Sequence, residues 1–396
     1  MGSACSRPYN VLTAVACKFV AALVFWLLLL AGRGIRSLYR WAADLLGRWI
    51  GPRAARVVGW LLVAGLAWSA FSGLLLGGFV NAANEAFSLR DTQTPEGVHQ
   101  PTSTLRSGGP GSLVPWDTLG RQGRAFTGSG PSARDIGAFT HRTAQAPVRA
   151  YAGLSTSDDA ESRAERAVAD LERAGGFKRA HLLVMTTTGS GWVDPAAVDS
   201  FEYLGNGDSA TVAMQYSYLP SWMSCLVDQS EAREAGRELF DAVYDVWSKL
   251  PQDQPPRLFV AGESLGSFGG ETATGMPPTD RPWEGTGVLY LMHPSDPIVW
   301  WSPRLALSEP DWIGQAPGGD VLEAMVRMPF VTFWQVTADL PFSTDVPDGH
   351  GHGHKYKAAY VDGWNAVMRP AGFTAQDLDR LKDIIWPEPE PTATRP

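Results

Sequence analysis

The stretch Arg257-Leu258-Phe259-Val260-Ala261-Gly262-Glu263-Ser264-Leu265-Gly266-Ser267-Phe268-Gly269-Gly270 decides how the rest of the chain is read. Its apolar opening, through Ala261, has the composition of a buried strand, and the small residues from Ser267 onward can open a helix. Between them, Gly262-Glu263-Ser264-Leu265-Gly266 has the spacing of a nucleophile elbow. In such an elbow a serine sits on a sharp strand-to-helix turn with its oxygen lifted clear of the sheet. The N–H of the following residue, Leu265, lies at a helix start and is placed to donate to an oxyanion. The plainer alternative is a Gly/Ser-rich turn joining a core strand to a helix, because the five-residue pattern alone recurs by chance.

Working outward, the chain around this motif reads as alternating strands and helices. Arg149–Leu154, His181–Thr188, Ala210–Ser217, Gly287–Met292 and Phe330–Val336 are strand candidates. Ser157–Ala174 and Glu231–Leu250 are amphipathic helices, and two more helices close the chain near Lys355–Met368 and Ala375–Ile385. This alternation predicts an α/β fold, a mostly parallel sheet with helices on both faces, over residues 148–396. Residues 81–147 are rich in Gly, Ser, Thr, Pro and Arg and read as a connecting region, with a structured section near Val114–Phe126.

The N-terminal part is different. Residues 11–31 and 57–80 are two apolar runs of membrane-spanning length, the first broken only by Lys18. They predict an N-terminal two-helix membrane hairpin within a membrane domain of residues 1–80. Between them Arg33, Arg36, Arg40, Arg48, Arg53 and Arg56 stand against the single acid Asp44. Leu38, Trp41, Leu45, Leu46, Trp49 and Ile50 recur there at helical spacing, which fits a helix lying on the membrane surface or a helical loop packed on the two spans. The arginine excess predicts that this loop faces the cytoplasm, which places the main body on the extracytoplasmic side of a multi-pass cell-membrane protein.

Charge sharpens the division. The first 80 residues carry a balance of +7 within a chain whose net charge is −8, which leaves −15 to the remainder. An acidic body argues against nucleic acid as a partner. The three cysteines, Cys5, Cys17 and Cys225, imply no disulfide framework.

A serine hydroxyl needs a base to take its proton and a third group to hold that base. In a hydrolase sheet the three arrive in the order serine, acid, histidine. The acid candidate is Asp296, in His293-Pro294-Ser295-Asp296-Pro297, just beyond the strand that ends at Met292; its alternative is a turn aspartate before proline. Asp339 is a spare. The base candidates are His350 and His352, in Asp348-Gly349-His350-Gly351-His352-Gly353-His354, where alternating glycines let the backbone bend toward Ser264. A zinc site is the rival for this cluster, but no Cys or Glu set accompanies it, so neither metal nor cofactor is expected. The second oxyanion donor is sought in Thr187-Thr188-Gly189-Ser190-Gly191-Trp192, with Thr188, Gly189 and Ser190 as the candidate N–H groups. Gln215, Tyr216 and Tyr218 follow a neighbouring strand and are candidates either to line a pocket or to pack.

Together, LRSGGPGSLVPWDTLGRQGRAF (105–126), TGSGWVDP (188–195), TVAMQYSYLPSWMSCLVD (211–228), GESLGSFG (262–269), SDPIVWWSP (295–303) and the 331–352 segment resemble a bacterial membrane-anchored α/β-hydrolase family. Its members pair an N-terminal helical membrane domain with a C-terminal hydrolase domain. The resemblance implies a serine hydrolase at a membrane, with Ser264, Asp296 and the Gly-His-Gly-His run at its catalytic positions. Two departures stand out. Fewer membrane spans are read here than is usual in the family. Only 31 residues separate Ser264 from Asp296, too few for a further strand and helix. Either the acid follows the strand next to the elbow strand, or a core strand is missing.

The expected activity is hydrolysis of a small-molecule or lipid ester through an acyl-enzyme on Ser264. The alternatives are acyl transfer by the same residues, or a catalytically impaired hydrolase fold used for binding or scaffolding.

Overall fold

The computed structural model describes residues 9–70, 73, 77–227, 230–251, 255–263, 265–274, 287–291 and 358–387. The chain divides into two compact units, Met1–Ala83 and Asn84–Pro396.

The first unit is built on α1 (Tyr9–Ile50) and α2 (Pro52–Ala70). The chain turns between them at Gly51, whose φ of +80° is a left-handed conformation that favours glycine. Small residues line the contact: a Cβ at Gly59 would lie 3.4 Å from the Ala43 backbone nitrogen, and Ala55 is buried. Among the described residues, large apolar side chains are exposed along both helices, including Trp41, Trp49, Trp60, Leu62 and Leu66. Among the described residues no helix is long and apolar enough to cross a membrane. The expected span over 57–80 is not one described helix. The described helix containing its start runs over Pro52–Ala70 and opens with Arg53 and Arg56, so its described apolar part is shorter than the ~20 residues a bilayer requires. A third helix, α3 (Gly77–Asp91), follows.

The second unit carries the sheet. Strands β1 (Val148–Ala152), β2 (His181–Thr186), β3 (Ser209–Met214), β4 (Arg257–Glu263) and β5 (Gly287–Leu291) lie in the order β1-β3-β2-β4-β5. Every pairing is parallel. A parallel sheet must be covered on both faces, and β1 to β4 show it, with nearly every residue buried. Even-numbered side chains such as Ala150, Val184, Val212 and Val260 join one core. It is closed by α6 (Ala160–Arg173), α9 (Ser230–Trp247) and α10 (Leu265–Thr274). Odd-numbered side chains such as Tyr151, Leu183, Met185 and Phe259 face the other core. That core is filled by α4 (Gly120–Gly128), α5 (Ala133–Thr140), α7 (Pro195–Leu204), α11 (Ala358–Met368) and α12 (Ala375–Ile385). A short helix, α8 (Ser221–Val227), lies between β3 and α9.

Two expectations change in detail. The residues read as a connecting region are, from residue 84 onward, part of the second unit: Val114, Leu119, Phe126, Ile136 and Phe139 are buried in its core. Polar composition hid this because much of the anchoring is by hydrogen bonds. Buried Asp170 on α6 accepts from the Ser107 hydroxyl at 2.5 Å, the Leu113 N–H at 2.7 Å and the Ser112 hydroxyl at 2.9 Å. Second, β5 pairs directly with β4, with Phe259 opposite Gly287 and Glu263 opposite Leu291. The strand that leads to Asp296 is therefore the one beside the elbow strand, and no gap separates the two. The strand candidate 330–336 lies outside the described residues.

Candidate active site

Among the described residues, strand β4 runs to Glu263 and α10 starts at Leu265, one on each side of position 264. Ser264 itself lies outside the described residues, as do Asp296, Asp339, His350, His352 and His354. What the structure describes is the frame around them. Gly262 pairs with Thr186 across the sheet. A Cβ at Gly262 would strike the carbonyl of Gly266, and one at Gly266 would strike the carbonyls of Thr186 and Thr187. Both motif glycines are thus required by close backbone approach, and the contact at Gly266 sets the start of α10 against the end of β2.

The loop after β2 is the expected oxyanion loop. Its Thr188 and Trp192 form a small antiparallel bridge, each N–H donating to the other's carbonyl at 3.1 Å. The Thr188 hydroxyl donates to Ser221 Oγ at 2.9 Å, and the Thr187 hydroxyl to the Met214 carbonyl at 2.8 Å. Gly191, at φ +87°, is held by Tyr151, whose phenol donates to its carbonyl at 2.7 Å. The Gly189 N–H donates to the Tyr216 phenol oxygen at 2.7 Å. Of the expected oxyanion donors, Thr188 and Gly189 therefore have their N–H groups committed to partners within the protein. The N–H groups of Ser190 and Leu265 meet no acceptor among the described residues. Gln215 and Tyr216, read as pocket or packing residues, hold this loop and its surroundings. Buried Gln215 donates to the Ser217 carbonyl at 3.1 Å and to Asp91 at 3.3 Å, and accepts from the Leu154 N–H at 3.2 Å.

One set of residues escaped sequence reasoning. Glu263, next to the nucleophile position, is almost fully buried. Its carboxylate accepts from the Tyr360 hydroxyl of α11 at 2.7 Å. Asp194 caps α7, accepting from the Ala196 N–H at 2.8 Å, and Tyr360 hydrogen-bonds to it as well. Burial pushes both acids up, Glu263 to about 8 and Asp194 to about 6; the Asp194 charge adds to the rise at Glu263. The available signals were the odd parity of Glu263, which points it at the same face as Phe259 and Ala261, and the Asp-Pro pair that opens α7.

Against this geometry, the model of an alpha/beta-hydrolase family matches residues 148–278 and 271–381, and the model of that family's N-terminus matches residues 4–131. The chain belongs to this alpha/beta-hydrolase family. No curated protein and no solved structure matches it. Among the described residues no group of His, Cys, Asp and Glu is placed to hold a metal ion.

Proposed function

We propose that the chain is a serine hydrolase that cleaves carboxylic esters through an acyl-enzyme on Ser264. The observation that carries this reading is the close backbone approach at the two motif glycines: Gly262, at the end of β4, lies against the Gly266 carbonyl, and Gly266, at the start of α10, lies against the carbonyls of Thr186 and Thr187. Backbone approach this close, with no room for side chains at the flanking positions, is what a nucleophile elbow demands. In the proposed reaction the Ser264 oxygen attacks the ester carbonyl and its proton passes to His350 or His352. Asp296 orients that imidazole and supports its charge. The N–H groups of Leu265 and Ser190 stabilise the oxyanion. Collapse expels the alcohol, which takes the proton back, and water then releases the acid by the same route. The first unit is proposed to hold the enzyme at a membrane, supported by the outward tryptophans and the arginines between them. A lipid-like ester is the substrate class that fits such a location.

The test is labelling with a fluorophosphonate probe, which reacts with activated serines. Wild-type protein is expected to label and Ser264→Ala to remain unlabelled, with turnover of nitrophenyl esters of graded chain length lost in the same variant. Equal labelling of both proteins, or none of folded wild type, would overturn the reading.

A further inference from the structure

The Asp194–Tyr360–Glu263 cluster joins three segments that are remote in sequence: the loop after β2, the end of the elbow strand, and α11. Its chemistry is unusual for a structural contact. Two carboxyl groups meet around one phenol donor, with no cation bonded to either among the described residues. The groups facing Glu263 are Asp194 from α7 and Tyr360 from α11. Asp199, also on α7, acts on Asp194 and is itself paired with Arg149. Asp362 on α11 is bonded to Lys382 instead. Two like charges in one buried site cannot both ionise at low cost. Asp194 also accepts from the Ala196 N–H at the start of α7, whereas Tyr360 is the one donor to Glu263 among the described residues, so it is Glu263 that lacks the donors an ionised carboxylate wants.

We propose that Glu263 is a positioning residue for Ser264: it holds the one proton of the Glu263–Asp194 pair, and the singly protonated cluster with Tyr360 pins the end of the elbow strand to the oxyanion loop and to α11. This rests on the reading of Ser264 as nucleophile. Loss of the proton sets Glu263 against Asp194 one residue from the reacting oxygen. A misplacement of about 1 Å at such a point costs up to ~100-fold in rate.

The sign of the pH effect follows from the direction of the shift. A carboxyl raised in the folded state stabilises the fold fully below its unfolded value, and that contribution is lost as pH rises through the folded value. For Glu263 the loss runs from its ordinary value of 4.5 up to about 8.

The experiment compares wild type, Glu263→Gln and Tyr360→Phe, with Ser264→Ala as control, by fluorophosphonate labelling rate and by thermal melting between pH 6 and 9. Glutamine imitates the protonated acid. It is expected to label within about threefold of wild type at pH 6.5 and to lack the wild-type fall in labelling rate above pH 8. Its melting temperature is expected to vary less with pH than that of wild type. Tyr360→Phe is expected to label about tenfold more slowly, consistent with loss of a buried hydrogen bond, while still folding. Identical pH profiles of labelling and melting for wild type and Glu263→Gln would overturn the proposal. Absence of labelling in folded wild type would overturn the catalytic reading and the positioning role with it; the melting comparison would then report on the pair's proton alone.

Discussion

At the scale of single residues, the site is defined by what will not fit. Gly266 touches backbone carbonyls of β2, not the flexible end of a side chain, so a methyl group there has no cheap way out. Gly266→Ala is expected to destabilise the second unit by about 1–3 kcal/mol, read by urea unfolding, and to depress probe labelling beyond what the stability loss accounts for. Gly191→Ala adds a second conflict, since φ +87° disfavours any side chain and the Tyr151 hydroxyl occupies the space. The spacing Gly262–Ser264–Gly266 was legible because it records a local turn. The partnership of Glu263 with Asp194 and Tyr360 was not. Its members are brought together only when the sheet and α11 assemble, and strand parity gives the face of Glu263 but not its partners.

At the scale of elements, the strands were legible as apolar runs, and both closing helices were readable, α12 to the residue. The Gly/Ser-rich region before β1 was the harder case, since its low apolar content resembles a linker while Asp170 and the side chains of α4 and α5 tie it to the sheet. Arg149 on β1 shows how such ties work. Buried in full, it donates to Glu202 at 2.7 and 2.8 Å, to Asp199 at 2.5 Å and to the Phe126 carbonyl at 3.0 Å, so one side chain joins β1, α7 and α4. Removing one partner of a buried ion pair leaves the other charge stranded. Arg149→Met is therefore expected to cost about 3–5 kcal/mol by chemical denaturation. The double variant Arg149→Met, Glu202→Gln should recover part of that loss; failure to recover any would mean that the arginine acts through packing alone.

At the scale of the whole molecule, the division at Ala83 separates a basic, tryptophan-bearing unit from an acidic one. On flotation with vesicles containing anionic lipid, the full chain is expected to rise with the lipid and a chain beginning at residue 84 to remain below. Equal behaviour of the two would remove the first unit from any role at a membrane. The sheet order has a consequence in time. Its central strand, β2, precedes β3, β4 and β5 in the chain, so the half-sheet β1-β3-β2 and the helices α6 and α9 are synthesised before β5 and the two closing helices. One face of the sheet can thus be covered while the chain is still emerging. On the opposite face α4, α5 and α7 are also made early, while Tyr360, Trp364 and Leu381 follow β5 and complete the packing around Phe201 and Phe259. Until then a nascent chain carries that face covered by α4, α5 and α7 but without the aromatic and aliphatic side chains of α11 and α12. A chain stopped short of α11 should therefore depend on chaperones, and the last two helices act as the latch that ends that dependence.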